Sequence, residues 1–165
     1  ALDDQVTALK ALGAVVPELD LTRVGVEGWS FGGYYAALAV MRHPDVFKAA
    51  VAGAPVVDWA DYDTAYAERY LAMPGQAPQA YRGAPLLTWP PKLQRPPLLV
   101  HGTADDNVHF FHSLKLADAL LRAGKRHELL VLPGLSHQAQ ATGDPAYVAR
   151  IRERSLGFLQ HHLAR

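Results

Sequence analysis

The 165 residues make one ordinary domain, long enough to enclose a core, and half of them are hydrophobic, which excludes a disordered chain. A formal net charge of zero argues against a dedicated nucleic-acid or anionic-membrane surface. With no cysteine, disulfides, thiolate metal sites and a cysteine nucleophile are excluded, and no apolar run approaches the roughly 18 residues of a membrane span.

The opening residues Ala1-Leu2-Asp3-Asp4-Gln5 have no signal-peptide character and read as the middle of a helix, as in a chain that begins inside a larger protein. Val6, Leu9, Leu12 and Val16 recur at helical spacing, and Pro17 stops that helix. Arg23 to Glu27 reads as a short strand, and Tyr34 to Met41 as a helix ending near His43-Pro44. Phe47 to Ala54 is a small-residue strand of the kind buried on both faces. Trp59 to Tyr70 suits a helix whose Tyr62, Tyr66 and Tyr70, four apart, share one face; packing in the core is the simple explanation of that stripe. Residues 73–97 are rich in Pro and Gly and read as irregular connection with at most one short helical turn, not as a domain boundary.

Leu98 to His101 is a third strand, followed by a helix from Val108 to Ala123 with Gly124 as its C′ residue. His127 to Leu132 is a fourth strand. Asp144-Pro145 then caps a last helix, which buries Val148, Ile151, Phe158, Leu159 and Leu163. Strict alternation of this kind predicts an α/β fold: a parallel sheet of about four strands with helices on both faces and right-handed crossovers. Chemistry in such sheets gathers at the carboxyl ends of the strands, and Ser30, Asp105 and His137 each follow a strand directly.

Gly28-Trp29-Ser30-Phe31-Gly32-Gly33 joins the first strand to its helix. A serine between glycines at a strand-to-helix corner is the nucleophile elbow of an α/β-hydrolase; the bland alternative is a Gly-rich turn carrying a bystander serine. The tight corner requires Gly28 and Gly32 to be almost without side chains, and Gly33 gives the helix room against the sheet. A serine hydroxyl becomes a nucleophile when a base takes its proton, histidine suits that task near neutral pH, and a carboxylate behind it fixes the tautomer. The hydrolase order of serine, acid and histidine is met by Ser30, then Asp105 or Asp106, then His137. Asp144 is better explained as a helix cap. His101 at a strand end, His109 and His112 on the following helix, and the terminal His161-His162 read as packed or solvated side chains, and no histidine spacing suggests a metal site.

At Gly28–Tyr34, Tyr62–Tyr70 and His101–Phe110 the sequence resembles the prolyl oligopeptidase family of serine peptidases, and most of all its dipeptidyl peptidase IV branch. The strings His101-Gly102-Thr103-Ala104-Asp105-Asp106-Asn107-Val108-His109-Phe110 and Tyr66-Ala67-Glu68-Arg69-Tyr70 are specific for that branch. The resemblance implies that Asp105, the first of the aspartate pair, is the triad acid and that His137 is the triad histidine. It reassigns the tyrosine stripe: Tyr62 and Tyr66, with Val56, Trp59 and Val108, match residues lining a proline-accepting pocket. Asn107 matches a residue that hydrogen-bonds the carbonyl of the penultimate substrate residue. Phe31 stands where the branch has tyrosine, a mild departure because the backbone N–H is what serves as oxyanion donor. The loop Gly134-Leu135-Ser136-His137-Gln138 is less typical of the branch.

The resemblance implies no cofactor and a peptide substrate. Residues 1–165 would be a single catalytic domain in partial form, lacking the first hydrolase strands and the β-propeller of full-length relatives, and with them a second oxyanion donor and the glutamates that hold the substrate's amino terminus. The expected chemistry is acyl transfer through an acyl-Ser30 intermediate, cleaving after proline or alanine. An esterase or a broader aminopeptidase would use the same triad. A non-catalytic fragment that needs a partner is the third possibility, since loss of the first strands would expose an apolar sheet edge prone to self-association or to binding the missing half.

Overall fold

The computed structural model of the chain describes residues 1–83, 86–138 and 143–164, and in it every apolar run with strand character pairs into one sheet. The strands are β1 (Val24–Trp29), β2 (Phe47–Gly53), β3 (Pro97–Gly102) and β4 (Glu128–Leu132), all parallel and side by side in chain order. Gly28, Ala52, Leu99 and Leu129 stand in one row across the sheet. Helices α1 (Leu2–Val15), α2 (Phe31–Arg42), α3 (Thr64–Leu71), α4 (Pro78–Gly83), α5 (Phe111–Arg122) and α6 (Pro145–Leu163) complete the described elements, with short 3₁₀ turns at Trp59–Asp61, Leu86–Thr88 and Pro90–Lys92.

The two-residue period of a strand sorts its side chains between two cores. Ala50, Ala52 and Leu99 point toward α2 and α5 and pack with Val40, Met41, Leu116 and Leu120. Ala49, Val51, Leu98 and Val100 point the other way, onto Ile151 and Phe158 of α6. β3 is buried along its whole length, whereas β1 is half-buried and its outer edge is unpaired among the described residues. α6 starts as expected: the Asp144 carboxylate accepts the N–H groups of Ala146 and Tyr147, and Pro145 fills the first helical position.

Five expectations change in detail. β1 begins at Val24 and runs on through Gly28 and Trp29 to the serine. The helix expected over Trp59–Tyr70 is broken at Tyr62, because two aspartates cap separate segments: Asp58 accepts from Ala60 N–H and Asp63 from Tyr66 N–H, at 3.1 and 3.0 Å. α5 starts three residues later than Val108, since the Asp105 side chain takes the N–H groups of Asn107 and Val108 into a turn that leaves His109 ahead of the helix. Of the apolar residues at helical spacing in α1, Val6 is buried in the core together with Leu2, whereas Leu12 is 49 % exposed. The Pro-rich connection holds α4 and two 3₁₀ turns, more than the single turn expected.

Candidate active site

Ser30 sits between the last residue of β1 and the first of α2, with φ 60° and ψ −119°. Such a backbone is costly for a residue with a Cβ and is held by its surroundings: the Ser30 N–H donates to Gly53 O at 2.8 Å, and its carbonyl accepts from Tyr34 N–H at 3.0 Å. A Cβ on Gly28 would lie 2.3 Å from the Gly32 carbonyl oxygen, so the corner closes only with glycine at 28. Gly32 itself faces open space, and the close helix–strand approach falls on Gly33, where a Cβ would meet Gly53 O at 2.2 Å. The expectation that Gly32 must lack a side chain is thereby corrected. Phe31 is the first residue of α2, and its N–H, like the others of a first turn, has no carbonyl four residues back to bond. Among the described residues no backbone acceptor takes it, which makes it an available donor beside the serine at the positive end of a helix dipole.

Across the same sheet edge, the loops after β3 and β4 are joined by hydrogen bonds: Thr103 N–H to Leu132 O (3.1 Å), Ala104 N–H to Leu135 O (3.0 Å) and Gly134 N–H to the Thr103 hydroxyl (2.8 Å). Gly102 allows this approach, for a Cβ there would come within 2.2 Å of Leu135 O. The result brings Asp105 and His137 together, with Nδ1 donating to Oδ2 at 2.8 Å. The Asp105 side chain is fully buried, and its Oδ1 accepts from Asn107 and Val108 N–H at 3.0 and 2.9 Å. Asp106, which spacing left open as the acid, is exposed to solvent.

Two further residues hold this pair, and sequence reasoning passed over both. His101, read as merely packed, is fully buried with Nε2 3.3 Å from Asp105 Oδ2 and 2.8 Å from Val108 O. A carbonyl can only accept, so His101 carries its proton on Nε2, and Nδ1 takes the Ser113 hydroxyl at 2.7 Å. Burial pushes the His101 pKa below its ordinary value, which keeps the ring neutral beside the carboxylate. The one sequence signal was its place four residues before Asp105. Trp29 donates its indole N–H to His137 O at 3.0 Å, tying the residue before the serine to the histidine. Among the described residues no hydrogen bond links the Ser30 hydroxyl to His137.

Trp59, Tyr62 and Tyr66 gather beside the elbow. Trp59 meets Phe31, Tyr34 and Tyr62 edge-on at 5.6 to 5.8 Å and stacks on Tyr66 at 6.0 Å. Val56 and Val108 are fully buried behind this aromatic wall. The Tyr62 hydroxyl donates to Asn107 Oδ1 at 2.9 Å, so the wall is bonded to the acid loop. Desolvation, then the Asp63 charge, pushes the Tyr62 pKa up, and the phenol stays a neutral donor. With its oxygen accepting from Tyr62, the exposed Asn107 still carries two amide N–H donors. Chemically, the edge offers a hydroxyl, a base oriented by a carboxylate, a free backbone donor and a flat apolar surface. Among the described residues no three His, Asp or Glu side chains are grouped to hold a metal, and no helix is long and apolar enough to cross a membrane.

A model of the prolyl oligopeptidase family matches residues 1–165. The chain is 43% identical over 139 residues to dipeptidyl peptidase 8 of Homo sapiens, covering 82% of this chain and 16% of that protein. It is 36% identical over 126 residues to dipeptidyl peptidase 4 of Bos taurus, covering 74% and 16%. The crystal structure of Porphyromonas gingivalis dipeptidyl peptidase 4 superposes with a TM-score of 0.87 at 32% identity, over 98% of this chain and 22% of that one. The chain therefore spans about a sixth of the length of these curated relatives, and its fold is that of an α/β-hydrolase.

Proposed function

Since the chain belongs to the prolyl oligopeptidase family, we propose that it carries the acyl-transfer machinery of a serine peptidase that cleaves after proline or alanine. Ser30 Oγ attacks the scissile carbonyl carbon while its proton passes to Nε2 of His137. Asp105, bonded to Nδ1, holds the ring and stabilises the imidazolium. The Phe31 N–H donates to the oxygen of the tetrahedral intermediate. The leaving amine takes the proton from His137, and water, activated by the same ring, releases the acyl group from Ser30.

The residue before the cleaved bond would lay its ring or methyl against Trp59, Tyr62 and Tyr66, where a pyrrolidine fits as a flat apolar body. The amide NH₂ of the exposed Asn107 would donate to the carbonyl one residue earlier. The observation that carries this reading is the Asp105–His137 hydrogen bond on the sheet edge where a serine occupies a strained strand-to-helix corner.

A second reading, that the site works only with a partner segment, is favoured by the edge of β1, which is unpaired among the described residues. Beside it runs a groove of about 790 Å³ lined by Leu2, Val26, Phe31, Tyr35, Ala36 and Phe47. Intact-mass measurement after exposure to a fluorophosphonate separates the two. One label per chain, lost in Ser30→Ala, is the expected result, and a folded chain that stays unlabelled would transfer support to the second reading. Turnover of proline and alanine p-nitroanilides above that of simple esters distinguishes a peptidase from an esterase with the same triad.

A further inference from the structure

α5 carries a buried histidine that the mechanism above leaves unused. His112 is fully enclosed, and its Nδ1 lies 3.2 Å from the Val57 amide nitrogen and 3.5 Å from that of Asp58. Both backbone groups can only donate, so Nδ1 is bare and the proton sits on Nε2. Nε2 lies against the Asp61 backbone and has no hydrogen-bond partner of normal geometry among the described residues. A buried donor held only by a poorly formed contact to the Asp61 backbone costs a fold stability, and a leucine would fill the same space without one. Packing therefore gives no reason for histidine here, whereas the acceptor at Nδ1 does.

The backbone it holds leads straight into the aromatic wall, with Val56 on one side of Val57–Asp58 and Trp59 on the other. Lys115, on the next turn of α5, pairs with Asp61 and lies 3.6 Å from Asp58. From the far side, Leu86 N–H donates to Val57 O at 2.9 Å. The segment from Val57 to Asp61 is thus pinned between α5 and the Leu86–Thr88 turn. Ring contacts pass that placement on from Trp59 to Tyr62 and Tyr66.

We propose that His112 is a positioning residue for substrate selection, holding the Val57–Asp58 backbone so that Trp59 and Tyr62 present a surface shaped for proline. The inference rests on the reading of that wall as the pocket for the residue before the cleaved bond. It concerns selectivity, while fluorophosphonate labelling of Ser30 reads the triad, so the two can fail separately.

The test compares His112→Asn, whose Oδ1 falls where Nδ1 was, with His112→Gln, whose amide falls at the Nε2 position, and His112→Leu, which has no acceptor. The readouts are kcat and KM for Ala-Pro and Ala-Ala p-nitroanilides and the rate of Ser30 labelling. His112→Asn is expected to keep the proline-over-alanine ratio within about twofold, and His112→Gln and His112→Leu to lower it about tenfold, mainly through KM. That fall should exceed any fall in labelling rate. Equal ratios in all three variants overturn the proposal, as does a loss that Asn fails to rescue. If Asn alone folds, the acceptor serves folding and the positioning role is overturned. A wild-type chain that is labelled but shows no preference for proline overturns the pocket reading and this inference with it; an unlabelled one overturns both at the level of the triad.

Discussion

The ends of β3 and β1 supply the two halves of the site under opposite conditions. β3 is a central strand, buried throughout, and its loop is cross-bonded to the loop after β4. Each Asp105 oxygen there has donors, and the histidine behind it is itself partnered at both nitrogens. β1 is an edge strand among the described residues, and the strained serine that follows it is held by backbone bonds to Gly53 and Tyr34 alongside an open groove that reaches Phe31 and Gly32. The Asp105–His137 pair is preorganised by contacts inside these residues, whereas the Ser30 corner, the nucleophile proposed above, stands beside a strand edge unpaired among the described residues. Preorganisation belongs to the strand that is paired on both sides, because only there is water kept from competing for every polar group.

Substitutions can break this contrast. The largest effect is expected from Asp105→Asn, which keeps the size of the acid but favours the wrong tautomer of His137; Ser30 labelling should slow by about 10⁴. Ser113→Ala leaves His101 Nδ1 buried without its donor and should lower unfolding free energy by about 2 kcal/mol in a denaturant titration.

The two buried histidines set a pH dependence. Burial lowers the folded pKa of His101 and of His112 below the ordinary 6.5, so the unfolded chain binds more protons as pH falls through that value. Stability is then fully present above about pH 6.5 and declines below it, by up to about 1.4 kcal/mol per pH unit for each group. Thermal melts at pH 7.5, 6.5 and 5.5 should show the midpoint falling in that order. A midpoint that is flat or rises on acidification would remove the neutral-histidine account of the acid loop. The smallest effect is expected at the bridge between the two halves: Trp29→Phe removes the donor to His137 O and should slow labelling about threefold with little change in the melt. A larger loss there would mean that the histidine is positioned from the serine side more than from its own loop.

Much of this was legible along the chain. The alternation of helical and apolar segments determined the parallel sheet, and that topology alone brings Ser30, Asp105 and His137 to one edge. Residue types with strong local chemistry were also readable, as with Asp144 and Pro145 at the start of α6. Local chemistry also misled where two local signals competed. Four-residue spacing suggested one helix through Tyr62, but the caps at Asp58 and Asp63 divide it, and the stripe survives as ring contacts at 5.6 and 4.8 Å.

What the sequence by itself determined, then, is periodicity, order and the corner chemistry of the elbow, because these depend on neighbours within a few residues. The tertiary structure decided between Asp105 and Asp106 as the partner of His137 by burying one and leaving the other in water. It also decided what the spare histidines do. His112 reaches Val57 across 55 positions, and Trp29 reaches His137 across 108. Contacts of that span leave no periodic trace in a single chain, and a buried polar group acquires its meaning only from the partner that folding sets against it.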